Sequence, residues 1–308
     1  MNELTPIQRL TRDLANAART MTDEEARFLV DNYYQMQDGR IRADGQIRSI
    51  DKTPAEIITG EEGEVVPVHE PHEVLTWFSN QSSSMENQIQ RALEKYVNAH
   101  VMGPWLMNIF GIGPVISAGL LAHIDMEWEE CIECGKKKST HTQCKCKAPF
   151  QKVYCETTGQ IWRYAGLDPT SKWEKKTARP WNAQLKVVCW KAGESFWKFH
   201  NDKRCFYGHL FAKQKLIYQE RNENGVYERR AAEILATKNF RKTTDAYKAY
   251  SQGKLPPAHV HSMARRHAVK IFLAHLHDEM CRRMLGKEPP LPYSVEFLGH
   301  AHVIQPPG

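Results

Sequence analysis

Cysteines supply the clearest chemistry in this sequence, because five of the eight fall between residues 131 and 155. Cys131 and Cys134 are separated by two residues and followed by Gly135, which is the spacing of a zinc knuckle. Two thiolates at this spacing can hold one tetrahedral ion, and the glycine relaxes the turn. The sequence therefore predicts a structural Zn²⁺ site in an insert over residues 127–157. Its expected ligands are Cys131, Cys134, Cys144 and Cys146, and Cys155 or His141 could replace one of the last two.

The same cluster bears on the cellular compartment. A secreted disulfide scaffold would spread its cysteines through a small chain, whereas a cluster behind a polar, charged N-terminus indicates a metal in a reducing cytoplasm. Residues 102–124 are apolar enough to suggest a membrane span, but glycines and prolines interrupt them midway. A turn within lipid would leave backbone groups unpaired. We therefore expect a cytoplasmic protein with no membrane segment.

A second candidate site is the glycine turn at residues 111–113, between two short apolar helices within residues 105–124. The order helix, Gly-hydrophobe-Gly, helix is the helix-hairpin-helix pattern. Gly111 and Gly113 would free the turn dihedrals and let a phosphate approach the backbone N–H groups, while Ile112 would fill the hairpin core. The start of the second helix adds free N–H groups and a favourable dipole. The pattern predicts contact with the DNA backbone, and the alternative is an ordinary turn between core helices.

Positive charge is concentrated after residue 100. Residues 1–100 carry a net charge of −7 and residues 101–308 a net charge of +13, which suits the second part to a polyanion. The expected phosphate contacts are Lys172, Lys175, Lys176 and Arg179 in a basic loop, and Arg265, Arg266 and Lys270 as one stripe on the last helix. Lysines of the insert would add further contacts. A solvated basic surface is the alternative.

Tryptophans lie among these basic residues, and aromatic rings interleaved with lysine can stack on unpaired bases. Trp173 and Trp181, in the basic loop, are the stacking candidates. Trp190 and Trp197 lie on a predicted helix, so we expect them to pack in the core. The histidines between residues 259 and 277 are expected to be solvated or to pack between helices rather than to bind a metal.

The chain of 308 residues has an ordinary globular composition, with 41% hydrophobic and 25% charged residues, which excludes a disordered protein. Periodicity and turn residues predict a mostly α fold: a helix-hairpin-helix DNA-binding domain with a zinc-knuckle insert and a smaller, mixed N-terminal region. The expected divisions are residues 1–80, 85–285 and a Pro-rich tail at 286–308. Residues 38–75 are expected to be loops with short strands at Gln46–Ile50 and Glu64–Val68, and residues 80–84 a linker or helix lead-in.

Five motifs follow one another in the second part of the chain. They are the hairpin, RYAGLDP (163–169), LKVVCWKAGESFWK (185–198), FYGHLFAKQK (206–215) and HSMARRHAVKIFLAHL (261–276). In this order they resemble the C-terminal domain of insertion-sequence transposases of the 110/116/902 family. Their pattern runs hairpin, YAGL-P, a Lys/Arg-Gly-Asn helix, FY-x-x-L and an ARK helix. The resemblance covers about residues 85–285.

The resemblance implies a nucleophilic serine just after YAGL-P, and the matching position is Ser171. It is followed by Lys172, Trp173 and Glu174, where the family usually has glycine-rich sequence. The family also carries an N-terminal RuvC-like nuclease domain, whereas only about 85 residues precede the shared part here. We therefore expect no such domain in this chain.

These observations lead to one principal hypothesis and two alternatives. The principal hypothesis is an accessory or non-autonomous DNA-binding protein that contacts phosphates through the hairpin and the Lys-rich zinc insert. Its DNA could be branched or contain RNA, and the protein could form a homo-oligomer. The first alternative is an active recombinase, transposase or nuclease with Mg²⁺ and a partner subunit, using Ser171 or acidic residues such as Asp23, Glu24 and Asp31. The second is a zinc-stabilised protein-interaction module.

Overall fold

The computed structural model describes residues 10–51, 71–138, 144–290 and 304–307, and these residues are mostly helical. The described helices are α1 (Arg12–Ala17), α2 (Asp23–Asp51), α3 (Pro71–Ala99), α4 (Gly103–Asn108), α5 (Pro114–His123), α6 (Thr158–Tyr164), α7 (Ala183–Lys198), α8 (Phe206–Glu223), α9 (Glu228–Thr237), α10 (Asp245–Ser251) and α11 (Pro257–Met280). A 3₁₀ turn at Ala18–Thr20 and a π-helical turn at Cys281–Leu285 complete the helical part. The prediction of a mostly α fold is confirmed.

The chain divides into two compact units. The first contains Met1–Gly103 and Ser117–His123, and the second contains Pro104–Ile116 and Ile124–Gly308. In the first unit, α2 and α3 lie side by side and antiparallel. The Tyr96 hydroxyl donates to Asp23 (2.7 Å) near one end, and Arg40 forms an ion pair with Glu86 (2.6 Å) nearer the other.

In the described part of this unit, the loops expected at residues 38–51 and 71–75 and the linker expected at residues 80–84 are wrong. α2 continues to Asp51 through Gly39 and Gly45, so the strand expected at Gln46–Ile50 is helical, and residues 80–84 lie inside α3. Gly39 allows close packing rather than a turn, because a Cβ there would lie 3.3 Å from the Phe78 ring. The strand expected at Glu64–Val68 lies outside the described residues.

The second unit is built around three aromatic rings contributed by α7, α8 and α11. Phe196 lies 5.0 Å from Tyr207 and 5.5 Å from Phe272, measured between ring centroids, and all three rings are fully buried. α7 and α11 approach closely because Gly193 has no side chain: a Cβ there would lie 2.6 Å from Arg265 Cγ. Helices α9 and α10 contribute to a smaller apolar cluster around Tyr250 and Leu255.

A two-stranded antiparallel sheet carries the cysteine insert. Strand β1 (Glu127–Cys131) pairs with β2 (Phe150–Tyr154), and the register places Glu127 opposite Tyr154 and Cys131 opposite Phe150. Neither strand was predicted. After the insert, α6 begins at Thr158, and Thr157 caps it together with Gln160 in a capping box.

The apolar segment at residues 102–124 forms α4, a turn and α5. Within the described parts of the chain, no helix combines the length and the apolar character that crossing a membrane requires.

Candidate metal centre and basic surface

The four cysteines of the insert meet at one point. The sulfur atoms of Cys131, Cys134, Cys144 and Cys146 all lie within 4.8 Å of one another, and those of Cys134 and Cys144 are 3.3 Å apart. Four soft sulfur donors at this separation are close enough to hold a metal ion. The structure thus brings together the four ligands expected from the sequence.

The β-hairpin explains how residues 13 positions apart in sequence meet. Cys131 ends β1, and its N–H donates to the carbonyl of Lys136 (2.9 Å). The chain turns back at Gly135, whose N–H donates to the Cys131 carbonyl (2.9 Å) and whose φ is +64°. That left-handed conformation favours glycine, as the knuckle spacing predicted. Cys144 and Cys146 then precede β2 on the returning chain.

The thiols differ in exposure and acidity. Cys131 is buried and Cys134 is exposed. The backbone hydrogen bond with Lys136, and then the Cys144 thiol, lower the pKa of Cys134 to about 7. A thiolate is the form that binds metals.

Of the two expected substitutes, only Cys155 lies among the described residues, and it does not belong to this group. Cys155 is buried elsewhere, with its Sγ 3.8 Å from the Thr157 carbonyl oxygen, and burial raises its pKa to about 11. His141 lies outside the described residues.

The lysines of the insert are less available than the sequence suggested. Ion pairs join Lys137 to Asp125 (3.4 Å), Lys138 to Glu129 (2.5 Å) and Lys152 to Glu127 (2.8 Å). Half of the six insert lysines therefore already face a carboxylate. Because these ion pairs are exposed, each contributes little to the free energy of unfolding. Each pair nevertheless reduces the positive charge that its lysine can offer to a phosphate.

The two glycines of the turn differ in backbone conformation and in surroundings. Gly111 has φ +94°, and its carbonyl accepts a hydrogen bond from the Ser195 hydroxyl (2.5 Å). Ile112 is 4% exposed and fills the space beneath the turn, as expected. Gly113 borders open space, because an added Cβ would meet no described atom within 4 Å. The turn leads directly into α5, whose first N–H groups lack intrahelical acceptors.

Ser171 lies in a polar turn. Its hydroxyl donates to Asp168 Oδ2 at 3.5 Å, while the same carboxylate accepts from the Thr170 N–H (2.9 Å) and hydroxyl (2.8 Å). The Thr170 N–H is also the main cause of the lowered pKa of Asp168. A carboxylate held ionised in this way is a weak base. Among the described residues, Ser171 therefore has no neighbour suited to activate it as a nucleophile.

The basic residues expected to form one stripe on the last helix have different environments. Arg265 forms an ion pair with Glu194 of α7, and its guanidinium carbon lies 5.0 Å from the centroid of the Trp190 ring. Arg266 is exposed and forms no ion pair with any described residue. Arg265 therefore joins two helices, whereas Arg266 is available to a ligand.

Arg266 belongs to a group that we call the basic cluster. Its members, from the basic loop, α7 and α11, are Arg179, Lys186, Arg266 and Lys270. Desolvation, followed by the charges of Arg266 and Arg179, lowers the pKa of Lys186. Lys270 also has a lowered pKa, caused first by desolvation, although Asp168 acts against it. None of the four forms an ion pair with a described residue. Sequence reasoning missed Lys186, which lies just after the basic loop.

The remaining basic-loop residues, Lys172, Lys175 and Lys176, are exposed. Trp173 in the same loop is 43% exposed, with the Arg179 guanidinium carbon 5.6 Å from its ring centroid. Trp181 is partly covered, because it packs against Gly166 and lies 4.1 Å from the Lys186 ammonium.

The expected core positions of Trp190 and Trp197 are wrong: the two side chains are 47% and 37% exposed. Helix α7 turns another stripe to the core, consisting of Leu185, Val188, Cys189, Ala192, Gly193 and Phe196. Two of the histidines, His275 and His277, pack between helices as expected and are buried.

Comparison with known protein families, characterised proteins and solved structures finds no significant match to this chain.

Proposed function

We propose that the protein binds DNA through the basic cluster and the glycine turn, in an accessory rather than a catalytic role. The basic cluster carries this proposal. Four cations from three segments include pairs in which one charge lowers the pKa of the other, and none forms an ion pair with a described residue, although the Asp168 carboxylate acts on Lys270. Such an arrangement is unfavourable for the isolated protein, since like charges repel and partial burial removes water. A polyanion would relieve both effects.

The glycine turn offers a second contact of a different kind. Gly113 has open space around its α-carbon, so a phosphate could approach the backbone N–H groups at the start of α5. Contacts of this type position a protein on DNA without reading its sequence. The motif order that resembles the C-terminal domain of insertion-sequence transposases supports the same function.

We further propose that Zn²⁺ closes the cysteine insert. Tetrahedral Zn²⁺ with sulfur ligands at about 2.3 Å requires neighbouring sulfurs to lie roughly 3.8 Å apart. The observed upper limit of 4.8 Å and the Cys134–Cys144 separation of 3.3 Å bracket that value. Four cysteine ligands leave no open coordination position, so the ion would stabilise the insert rather than catalyse a reaction. A thiolate site of this kind fits a reducing cytoplasm.

We propose no catalytic role for Ser171, because its hydroxyl faces an ionised carboxylate within a turn. A serine nucleophile needs a base or a metal beside it.

The test of DNA binding is a salt titration. Fluorescence anisotropy of a labelled duplex with a single-stranded overhang would give the affinity of the full chain at increasing KCl. We expect the logarithm of the association constant to fall linearly with the logarithm of the salt concentration. Arg266→Ala and Lys186→Ala should each lower the slope by about 0.9, because each removes about one phosphate contact.

Lys248→Ala is the matched control, since Lys248 is exposed and paired with Asp245 (3.6 Å) on α10. It should leave both affinity and slope unchanged. If the Arg266→Ala and Lys186→Ala variants behave like this control, the basic cluster is not the binding surface. If the wild-type chain retains no DNA at low salt, the proposed function is wrong.

A further inference from the structure

The outer face of α7 carries two exposed tryptophans among lysines. Trp190 and Trp197 are 47% and 37% exposed, and Lys186 and Lys198 are also exposed on this helix. Positions 190 and 197 are seven residues apart, so they point to the same side and lie roughly 10 Å apart along the axis. We call the surface formed by Trp190, Trp197, Lys186 and Lys198 the indole face.

Neighbours from α11 contact both rings, which remain partly exposed, and the Lys191 ammonium lies 5.7 Å from the Trp190 centroid. The Arg265 guanidinium lies 5.0 Å from the centroid of Trp190 and is itself fixed by Glu194. The His261 ring meets Trp197 edge-on, with centroids 5.2 Å apart and planes at 84°. Rings fixed in this way lose little conformational entropy when a ligand stacks on them.

The positive charge around these rings favours an anionic ligand. Glu194 is the one acidic residue of α7, and Arg265 already neutralises it. Lys186 and Arg266 have no ion-pair partner among the described residues. Residues 168–198 contain seven Lys or Arg and three Asp or Glu, which is a net charge of +4. An apolar protein surface placed here would have to desolvate these cations without compensation.

A nucleic-acid duplex would use only part of this surface. Its base faces are stacked on one another, so an exposed indole can reach only edges and backbone. An unpaired strand offers free base faces for the rings and phosphates for the lysines, which is the combination found in single-strand binding proteins.

We propose that the indole face binds a single-stranded segment of DNA, with unpaired bases stacked on Trp190 and Trp197 and phosphates held by Lys186 and Arg266. The proposal rests on the proposed DNA binding and narrows the substrate to DNA that contains an unpaired strand. Trp173, exposed in the basic loop beside Arg179, could extend the same contact.

The experiment compares an oligothymidylate of about 20 nucleotides with a duplex of equal length by fluorescence anisotropy, using the full chain. We expect the wild-type protein to prefer the single strand. In Trp190→Leu/Trp197→Leu, single-strand affinity should fall roughly 5- to 150-fold for each lost stack, as about 1–3 kcal/mol per base implies. Duplex affinity should stay within about twofold of wild type.

Trp77→Leu is the matched control, because Trp77 is 43% exposed on α3, away from the indole face in the chain. It should bind both probes like the wild type. Trp190→Phe/Trp197→Phe retains stacking rings and should keep much of the single-strand preference.

The outcomes separate this inference from the proposed function. If the leucine variant binds the single strand like the wild type while Arg266→Ala weakens both probes, DNA binding stands and the indole face is not the single-strand site. If the wild-type protein binds neither probe, both proposals fail. If the leucine variant instead dissociates an oligomer seen by analytical ultracentrifugation and leaves both affinities unchanged, the face is a self-association surface and the inference is wrong.

A second measurement keeps the inference testable if the leucine variant does not fold. Bromodeoxyuridine in the oligonucleotide would be photocrosslinked to the wild-type chain, and the attached residues identified by mass spectrometry. Crosslinks at Trp190 or Trp197 would support the inference, and crosslinks confined to other segments would overturn it.

Discussion

Replacement of Gly113 by alanine should weaken DNA binding while leaving the fold intact. The two glycines of the turn differ in a way that makes this possible. Gly111 has φ +94°, and a Cβ there would lie 3.3 Å from the Ser195 hydroxyl oxygen. Gly113 has no such constraint, since an added Cβ would meet no described atom within 4 Å. An effect of Gly113→Ala on binding would therefore come from a ligand that occupies the open space.

The magnitudes follow from these two environments. Gly111→Ala should destabilise the protein by about 1–2 kcal/mol, because a Cβ is disfavoured in the left-handed region. Gly113→Ala should change stability by less than about 1 kcal/mol, and it could even be stabilising by restricting the unfolded chain. If the methyl group removes one charge-assisted hydrogen bond to a phosphate, the loss of about 1.5–3 kcal/mol corresponds to a roughly 10- to 150-fold weaker affinity.

The assay pairs thermal unfolding, followed by circular dichroism, with anisotropy titration of the duplex that carries an overhang. We expect the Gly113→Ala protein to unfold at or slightly above the wild-type midpoint and to bind DNA at least tenfold more weakly. A Gly113→Ala protein that folds normally and binds with wild-type affinity would show that the turn serves only to connect α4 and α5.

Three further predictions concern the metal, the serine and pH. Metal analysis by mass spectrometry should find about one zinc per chain, lost in Cys134→Ser and retained in Cys155→Ser, whose thiol lies outside the four-sulfur group. Ser171→Ala should leave anisotropy-measured DNA affinity unchanged. Burial lowers the pKa of His123 to about 4, below the unfolded value near 6.5. The contribution of His123 to stability should therefore be constant above about pH 6.5 and fall by up to about 3 kcal/mol towards pH 4. Urea titrations of His123→Leu should show a smaller loss than the wild type over this range, because His259, whose pKa burial also lowers to about 4, remains.

The long helices of the first unit show what local sequence reasoning could not supply. Asp38-Gly39 and Asp44-Gly45 are typical turn pairs, yet both lie inside α2. Asp44 accepts a hydrogen bond from Ser79 (2.5 Å), and Gly39 packs beneath Phe78. Those partners lie 35 and 39 positions further along the chain, beyond any window in which periodicity is judged. Packing against α3 therefore outweighs the local preference for a turn.

The cysteine group of the insert, by contrast, could be predicted because it depends on residues that are close together in sequence. Its two pairs of cysteines and its glycine are specified by short-range spacing, and thiol chemistry permits few interpretations of that spacing. Strand β1 was missed because three of its five residues are glutamates, which are depleted in strands. Strand β2 carries Phe150, Val153 and Tyr154, residue types that are typical of strands, so it could have been predicted from the sequence.

Trp190 and Trp197 could have been placed correctly from the sequence. Residues 185, 188, 192 and 196 already form an apolar stripe at helical spacing, and the tryptophans fall outside it. The error came from assuming that a tryptophan on a helix belongs to the core. Its correction changes the functional interpretation, because rings outside the core stripe are available to a ligand.

The number of basic residues in a segment did not indicate where the proposed binding surface lies. The insert is rich in lysine, but Asp125, Glu127 and Glu129 pair with half of its six lysines. The basic cluster contains only four cations, drawn from residues 179 to 270, yet none has an ion-pair partner among the described residues. Affinity for a polyanion depends on the charges that remain uncompensated in the folded chain. For that reason we propose that DNA binding is centred on the surface formed by the basic loop, α7 and α11, rather than on the cysteine insert.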